Sequence, residues 1–120
     1  MRLDDLPIVS IPPEGEFKFV QVGGPENSHY LFGTNKSFGL SHKASFYFGF
    51  LSSVQDSGLD VSDFECLGGG NLNVNSTARL LFAYGKSDRY GKFNVKIVKS
   101  LLENYVKSIE EFKLYSVRVI

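Results

Sequence analysis

The chain has almost no cysteine, no tryptophan, no excess charge and no long apolar run, and each absence excludes something. Cys66 is the only cysteine among 120 residues, so neither a disulfide framework nor a thiolate zinc cluster can form. His29 and His42 are the only histidines, too few and too far apart for a histidine-based metal centre. No metal and no cofactor are therefore expected. The 13 basic and 13 acidic residues cancel, which argues against a dedicated nucleic-acid binder. The longest near-continuous apolar stretch, Ala44 to Leu51, falls far short of the ~20 residues of a membrane span. The first residues, Met1 to Pro7, lack the apolar core of a signal peptide. A cytoplasmic protein with no membrane partner is the expectation, and the single cysteine suits a reducing compartment.

Glycine and phenylalanine, by contrast, are plentiful. Residues 1–120 are expected to form one domain, of a size that closes a core without staples. Phe17 to Val22 alternates and reads as a strand, as does His29 to Phe32. Ala44 to Ser57 reads as a helix whose core stripe is Tyr47, Phe50, Leu51 and Val54, ended by Gly58. Leu59 to Cys66 and Arg79 to Tyr84 read as strands. A second helix is expected from about Lys92 to Lys107, burying Val95, Val98, Leu101, Leu102 and Tyr105, with Lys96, Lys99 and Glu103 toward water. Phe112 to Ile120 closes the chain as a strand. Strands before, between and after two helices make an α+β domain, a mixed sheet with helices packed on it.

Two segments stand out against this frame. Gly68-Gly69-Gly70 suits a place needing positive φ or bare backbone N–H groups, or a tight bend between strands. Tyr84 to Gly91 brings two glycines, Ser87 and Arg89 together just before the second helix. Neither fits the obvious loop motifs. Leu72 stands where a cysteine-dependent phosphatase loop needs arginine, and Leu80 where a P-loop ending in Gly85-Lys86-Ser87 needs glycine. An anion site built on helix N-termini remains. Ser41, His42 and Lys43 open the first helix, and Lys86, Arg89, Lys92, Lys96 and Lys99 concentrate positive charge near the second. If both helix starts face one end of the sheet, they bracket a phosphate-sized pocket. The bland counterparts are a cap-adjacent His42, a structural His29, a solvated lysine face and a buried, inert Cys66.

Together, Pro7-Ile8-Val9, Pro13 to Val20, Glu65 to Gly70, Tyr84-Gly85 and Tyr90-Gly91 resemble the small phosphohistidine phosphatases of the Janus family. The resemblance implies a six-stranded sheet flanked by two helices, and cofactor-free hydrolysis of phosphate from histidine, sometimes lysine, of a phosphorylated protein partner. The catalytic histidine it implies enters the first helix just before an alanine. Pairing Ala44 and Gly58 without a gap puts Lys43 there, and a one-residue insertion restores His42. Asn71 stands where arginine is usual, and Lys36 is the nearest candidate for an upstream basic residue. Lys18 and Ser87 match positions near the phosphate, and Arg89 replaces a small residue that offers backbone N–H. The expected site is His42 as nucleophile or general base, with Lys18, Lys43, Ala44, Ser87 and Arg89 holding phosphate. A catalytically inactive relative, binding a phosphorylated partner or serving as an assembly subunit, is the competing expectation. Nucleic-acid or nucleotide binding through the basic patch ranks behind both.

Overall fold

The central strands take their place from strict alternation of side chains. In the computed structural model, which describes residues 6–34 and 41–120, strand β2 (Gly15–Gly23) sends Phe17 and Phe19 to one face and Val20 and Val22 to the other. Six strands form one mixed sheet in the order β1-β3-β2-β4-β5-β6. β1 (Val9–Ser10) runs parallel to β3 (His29–Gly33), and β5 (Leu80–Tyr84) parallel to β6 (Ser116–Val119). β2 pairs antiparallel with both β3 and β4 (Glu65–Asn75). The result is a single compact α+β domain, six strands between two helical layers.

Each face has its own core. Phe17, Phe19, Leu72 and Leu81 pack against Val98, Leu102 and Val106 of helix α3 (Val95–Ser108). Val20, Val22 and Tyr30 pack against Phe46, Phe50 and Val54 of the other helix. That helix, the first in the chain, is wound unevenly. It begins as α1 (His42–Ala44), passes through a π segment (Ser45–Phe50), and ends as α2 (Leu51–Asp56). The Leu51 N–H reaches back five residues, to the Phe46 carbonyl. A π turn holds one more residue than an α turn, so it shifts the phase of the buried stripe. Tyr47, expected in the core, is accordingly 46% exposed, while Phe46 takes the inner position at 5%.

Several boundaries differ from expectation for local reasons. Glu65 to Asn75 is one strand, with Leu67 the extra residue where its register against β2 shifts, so the glycine run lies inside β4 and does not separate two strands. None of Gly68, Gly69 and Gly70 has positive φ. Residues Leu59 to Phe64, expected to approach as strand, include a short turn (Val61–Asp63) capped by Asp60. Arg79 has φ of 53° and turns the chain ahead of β5. Phe112 belongs to a one-turn helix (Glu110–Phe112) and is buried at 4%, so the last strand is shorter than its alternation suggested. Helix α3 begins at Val95, after Asn94, whose side chain caps the Ile97 N–H at 3.0 Å. The Asn94 N–H is itself held at 2.8 Å by the amide oxygen of buried Gln21. Lys96, Lys99 and Glu103 face water as expected.

Candidate functional site: a histidine set into a glycine slot beside a cationic cleft

Ser41 fixes the start of α1: its hydroxyl accepts the Ala44 N–H at 3.0 Å. The next residue, His42, turns inward and is only 7% exposed. It fits because β4 has no side chain beneath it. A Cβ on Gly69 would lie 2.6 Å from His42 Cδ2 and 2.8 Å from the Phe19 carbonyl oxygen. Gly68 and Gly70 point the other way, where a Cβ would meet Phe93 at 2.7 Å. The run thus strips both faces of one strand, one face for a histidine and the other for a core phenylalanine.

His42 Nε2 lies 2.8 Å from the Gly70 carbonyl oxygen. A carbonyl only accepts, so Nε2 carries the hydrogen and Nδ1 keeps the lone pair in the neutral ring. Burial pulls the imidazole pKa below its ordinary 6.5, the Gly70 hydrogen bond opposes this, Lys18 adds to the lowering and Asp88 resists it. A neutral imidazole at physiological pH, in one tautomer, follows.

A cleft of about 270 Å³ opens beside this ring. Lys18, Lys43, Lys86 and Arg89 bring four cations to its lining, against one carboxylate, Asp88. Lys18 shares the sheet face of Val20 and pairs in register with Asn71, another lining residue. The cleft therefore forms where the helical layer stops covering the sheet. Its far wall is the turn between β5 and α3. Ser87, 1% exposed, accepts the N–H groups of Arg89 and Tyr90 on its hydroxyl at 3.2 and 3.0 Å. Ser87 and Gly91 exchange two backbone hydrogen bonds, and the Gly91 carbonyl also takes the Gly69 N–H at 3.2 Å. The turn and the glycine slot are therefore one hydrogen-bonded unit.

Of the expected site residues, His42, Lys18, Lys43, Ser87 and Arg89 line this cleft, and Ala44 does not. The structure puts His42, and not the exposed Lys43, against Gly70. The π segment Ser45–Phe50 lies between His42 and Gly58, the stretch over which the resemblance left a one-residue offset. Three of the residues expected to hold phosphate have their backbone N–H groups engaged within the fold: Ala44 by Ser41 Oγ, Ser87 by the Gly91 carbonyl, Arg89 by Ser87 Oγ. The second helix does not open onto the cleft, because Lys92, Phe93 and Asn94 intervene. Lys92 donates to the Gly85 carbonyl at 2.9 Å and lies over the Phe93 ring, so it leaves the expected basic neighbourhood. Lys96 and Lys99 are on the exposed side of α3.

The Gly70 carbonyl, Asn71 and Asp88 join the site without having been expected there. Asn71 was visible only as a departure from arginine, and nothing in the sequence marks Asp88. His29 starts β3 opposite Gly23, apart from the cleft lining. Burial pushes the Cys66 thiol up to about 12, so it stays protonated and unreactive. Lys36 lies outside the described residues. Among the described residues, no three of His, Cys, Asp and Glu are grouped to hold a metal ion, and no helix is long and apolar enough to cross a membrane.

Fold and cleft define a small α+β domain that holds one neutral histidine among cations, a class suited to binding anions. The Janus/Ocnus family (Ocnus) matches residues 3–113 of the sequence. The sex-regulated protein janus-A of Drosophila pseudoobscura pseudoobscura is 32% identical over 117 residues, covering 90% of this chain and 74% of the fly protein. The chain belongs to the Janus/Ocnus family.

Proposed function

We propose that the protein removes phosphate from phosphohistidine on a protein substrate, with phospholysine a further possible substrate, and that His42 carries the chemistry without a metal ion. The observation that supports this most is the Nε2–Gly70 hydrogen bond, which leaves a neutral Nδ1 beside a cleft of four cations. Nδ1 serves in either of two balanced ways. As nucleophile, it bonds to phosphorus while the substrate P–N bond breaks and the departing nitrogen takes a proton from water; a water-derived oxygen then bonds to phosphorus as the Nδ1–P bond breaks, releasing phosphate and restoring the neutral ring. As general base, it takes a proton from water while the water oxygen bonds to phosphorus, and that proton passes to the departing nitrogen. In both, the phosphoryl charge lies against Lys18, Lys43, Lys86 and Arg89, which supply the electrostatic stabilisation.

A second reading is a family member that binds a phosphorylated partner and does not turn it over. The engagement of the Ala44, Ser87 and Arg89 N–H groups favours it, because backbone donors for the phosphoryl oxygens are then few. Phosphate release from a phosphohistidine protein, measured in chelator for wild type and His42→Ala, decides between them. Release by wild type that vanishes in His42→Ala supports the catalytic reading. Release that survives the substitution moves the chemistry to Lys43. An inert wild type that binds phosphopeptide supports the second reading.

A further inference from the structure

The winding of the first helix leaves a feature that a phosphate site alone does not need. Tyr47 and Phe48 stand side by side on the solvent side of the π segment, 46% and 67% exposed. They do so because the extra residue of the π turn gives the inner positions to Phe46 and Phe50. Tyr47 packs edge-on to buried Phe46, with ring centroids 5.2 Å apart, so the outer ring is anchored from below. A second, more open concavity of about 650 Å³ lies over this pair and is also lined by Ser41, Lys43 and Arg89. Those three residues line the phosphate cleft too. The cleft and the aromatic shelf are therefore continuous, with Lys43 and Arg89 along the seam.

We propose that Tyr47 and Phe48 form a docking shelf for an apolar side chain next to the phosphorylated residue of a polypeptide whose phosphoryl group occupies the cleft. This rests on the phosphate-binding reading of the cleft, and on turnover not at all. Charge selects the occupant. A segment carrying a phosphoryl group brings negative charge to Lys43 and Arg89 while its neighbour covers exposed rings. A second copy packed symmetrically on the same patch would set Lys43 and Arg89 against themselves, which opposes self-association. The shelf thus sets which flanking residues are accepted, and the cleft sets which modification is accepted.

The test uses two short peptides bearing the hydrolysis-resistant triazole phosphonate analogue of phosphohistidine, with leucine on both sides in one and serine on both sides in the other. Wild type is expected to bind the leucine-flanked peptide about tenfold more tightly, the scale of burying one such side chain. In Phe48→Ser and in Tyr47→Ser the ratio should fall toward one. Equal affinities in wild type, a ratio that survives both substitutions, or no binding of either peptide would overturn the proposal. So would a concentration-dependent dimer in sedimentation that either substitution dissolves, since a second copy would then cover the shelf. Turnover of authentic phosphohistidine is scored separately: its absence removes the catalytic reading while the affinity ratio still decides the shelf.

Discussion

A single methyl group at Gly69 would sit 2.6 Å from His42 Cδ2 with the Phe19 carbonyl 2.8 Å behind it. The backbone side cannot yield, so the imidazole must. Gly69→Ala is expected to destabilise the fold by about 1–3 kcal/mol, the usual cost of overpacking, and to move the ring off the Gly70 carbonyl. Denaturant titration reads the first effect and the His42 imidazole NMR signals read the second. His42 itself should titrate below 6.5, chiefly because burial disfavours its cation. A group whose folded pKa is lowered contributes stability that is fully present above the unfolded value and is lost as pH falls through the folded one. Lys18→Gln should raise the titration midpoint and Asp88→Asn should lower it further, which pH-dependent NMR distinguishes directly. Ser45 offers the opposite kind of change. Its hydroxyl is fully buried with no hydrogen-bond partner among the described residues. Ser45→Ala is expected to be neutral or to stabilise by up to about 1 kcal/mol, as thermal unfolding would show.

Helix winding decides at the element scale whether His42 or Lys43 reaches β4. One residue rotates a helix by about 100°, so a residue too many between His42 and Gly58 would carry the histidine off the glycine slot. The π segment lies between the two and winds one more residue into its turn than an α-helix would. Deleting Tyr47 should convert the segment to ordinary α-helix and keep the helical content by circular dichroism. It should also turn His42 away from Gly70, so that its titration midpoint rises toward 6.5. A midpoint unchanged by the deletion would show that the π turn does not set the histidine. The same element shows what was legible beforehand. Phe50 and Val54 were readable as core and His42 as the helix entrance, because α-periodicity and capping are local. Tyr47 was misplaced because a π turn leaves no composition signal. The glycine run was legible as unusual, yet its purpose depended on His42 and Phe93, brought to its two faces from distant parts of the chain. The asparagine cap moved the start of α3 to Val95, and only the long-range bond from Gln21 shows why the chain waits until there.

The whole molecule has no net charge, so any attraction for phosphate must come from how charge is placed. Lys18 comes from β2, Lys43 from the helix entrance, and Lys86 and Arg89 from the turn after β5. The sequence showed a basic neighbourhood at the turn. It did not show that Lys92 would turn to the Gly85 carbonyl, whereas Lys18 and Lys43, expected beside the phosphate from the resemblance, do line the cleft. The cleft is open to solvent on one side, and charges exposed this way are screened over about 10 Å at 0.1 M salt and about 3 Å at 1 M. Affinity for the phosphonate peptides should therefore fall several-fold between about 0.05 and 0.5 M sodium chloride. The leucine-to-serine ratio should stay nearly constant, because burial on Tyr47 and Phe48 does not depend on ionic strength in that way. Lys86→Ala should flatten the salt dependence without changing the ratio. Calorimetry across the salt series separates the two contributions, and an affinity indifferent to salt would mean that the four cations do not face the bound phosphoryl group.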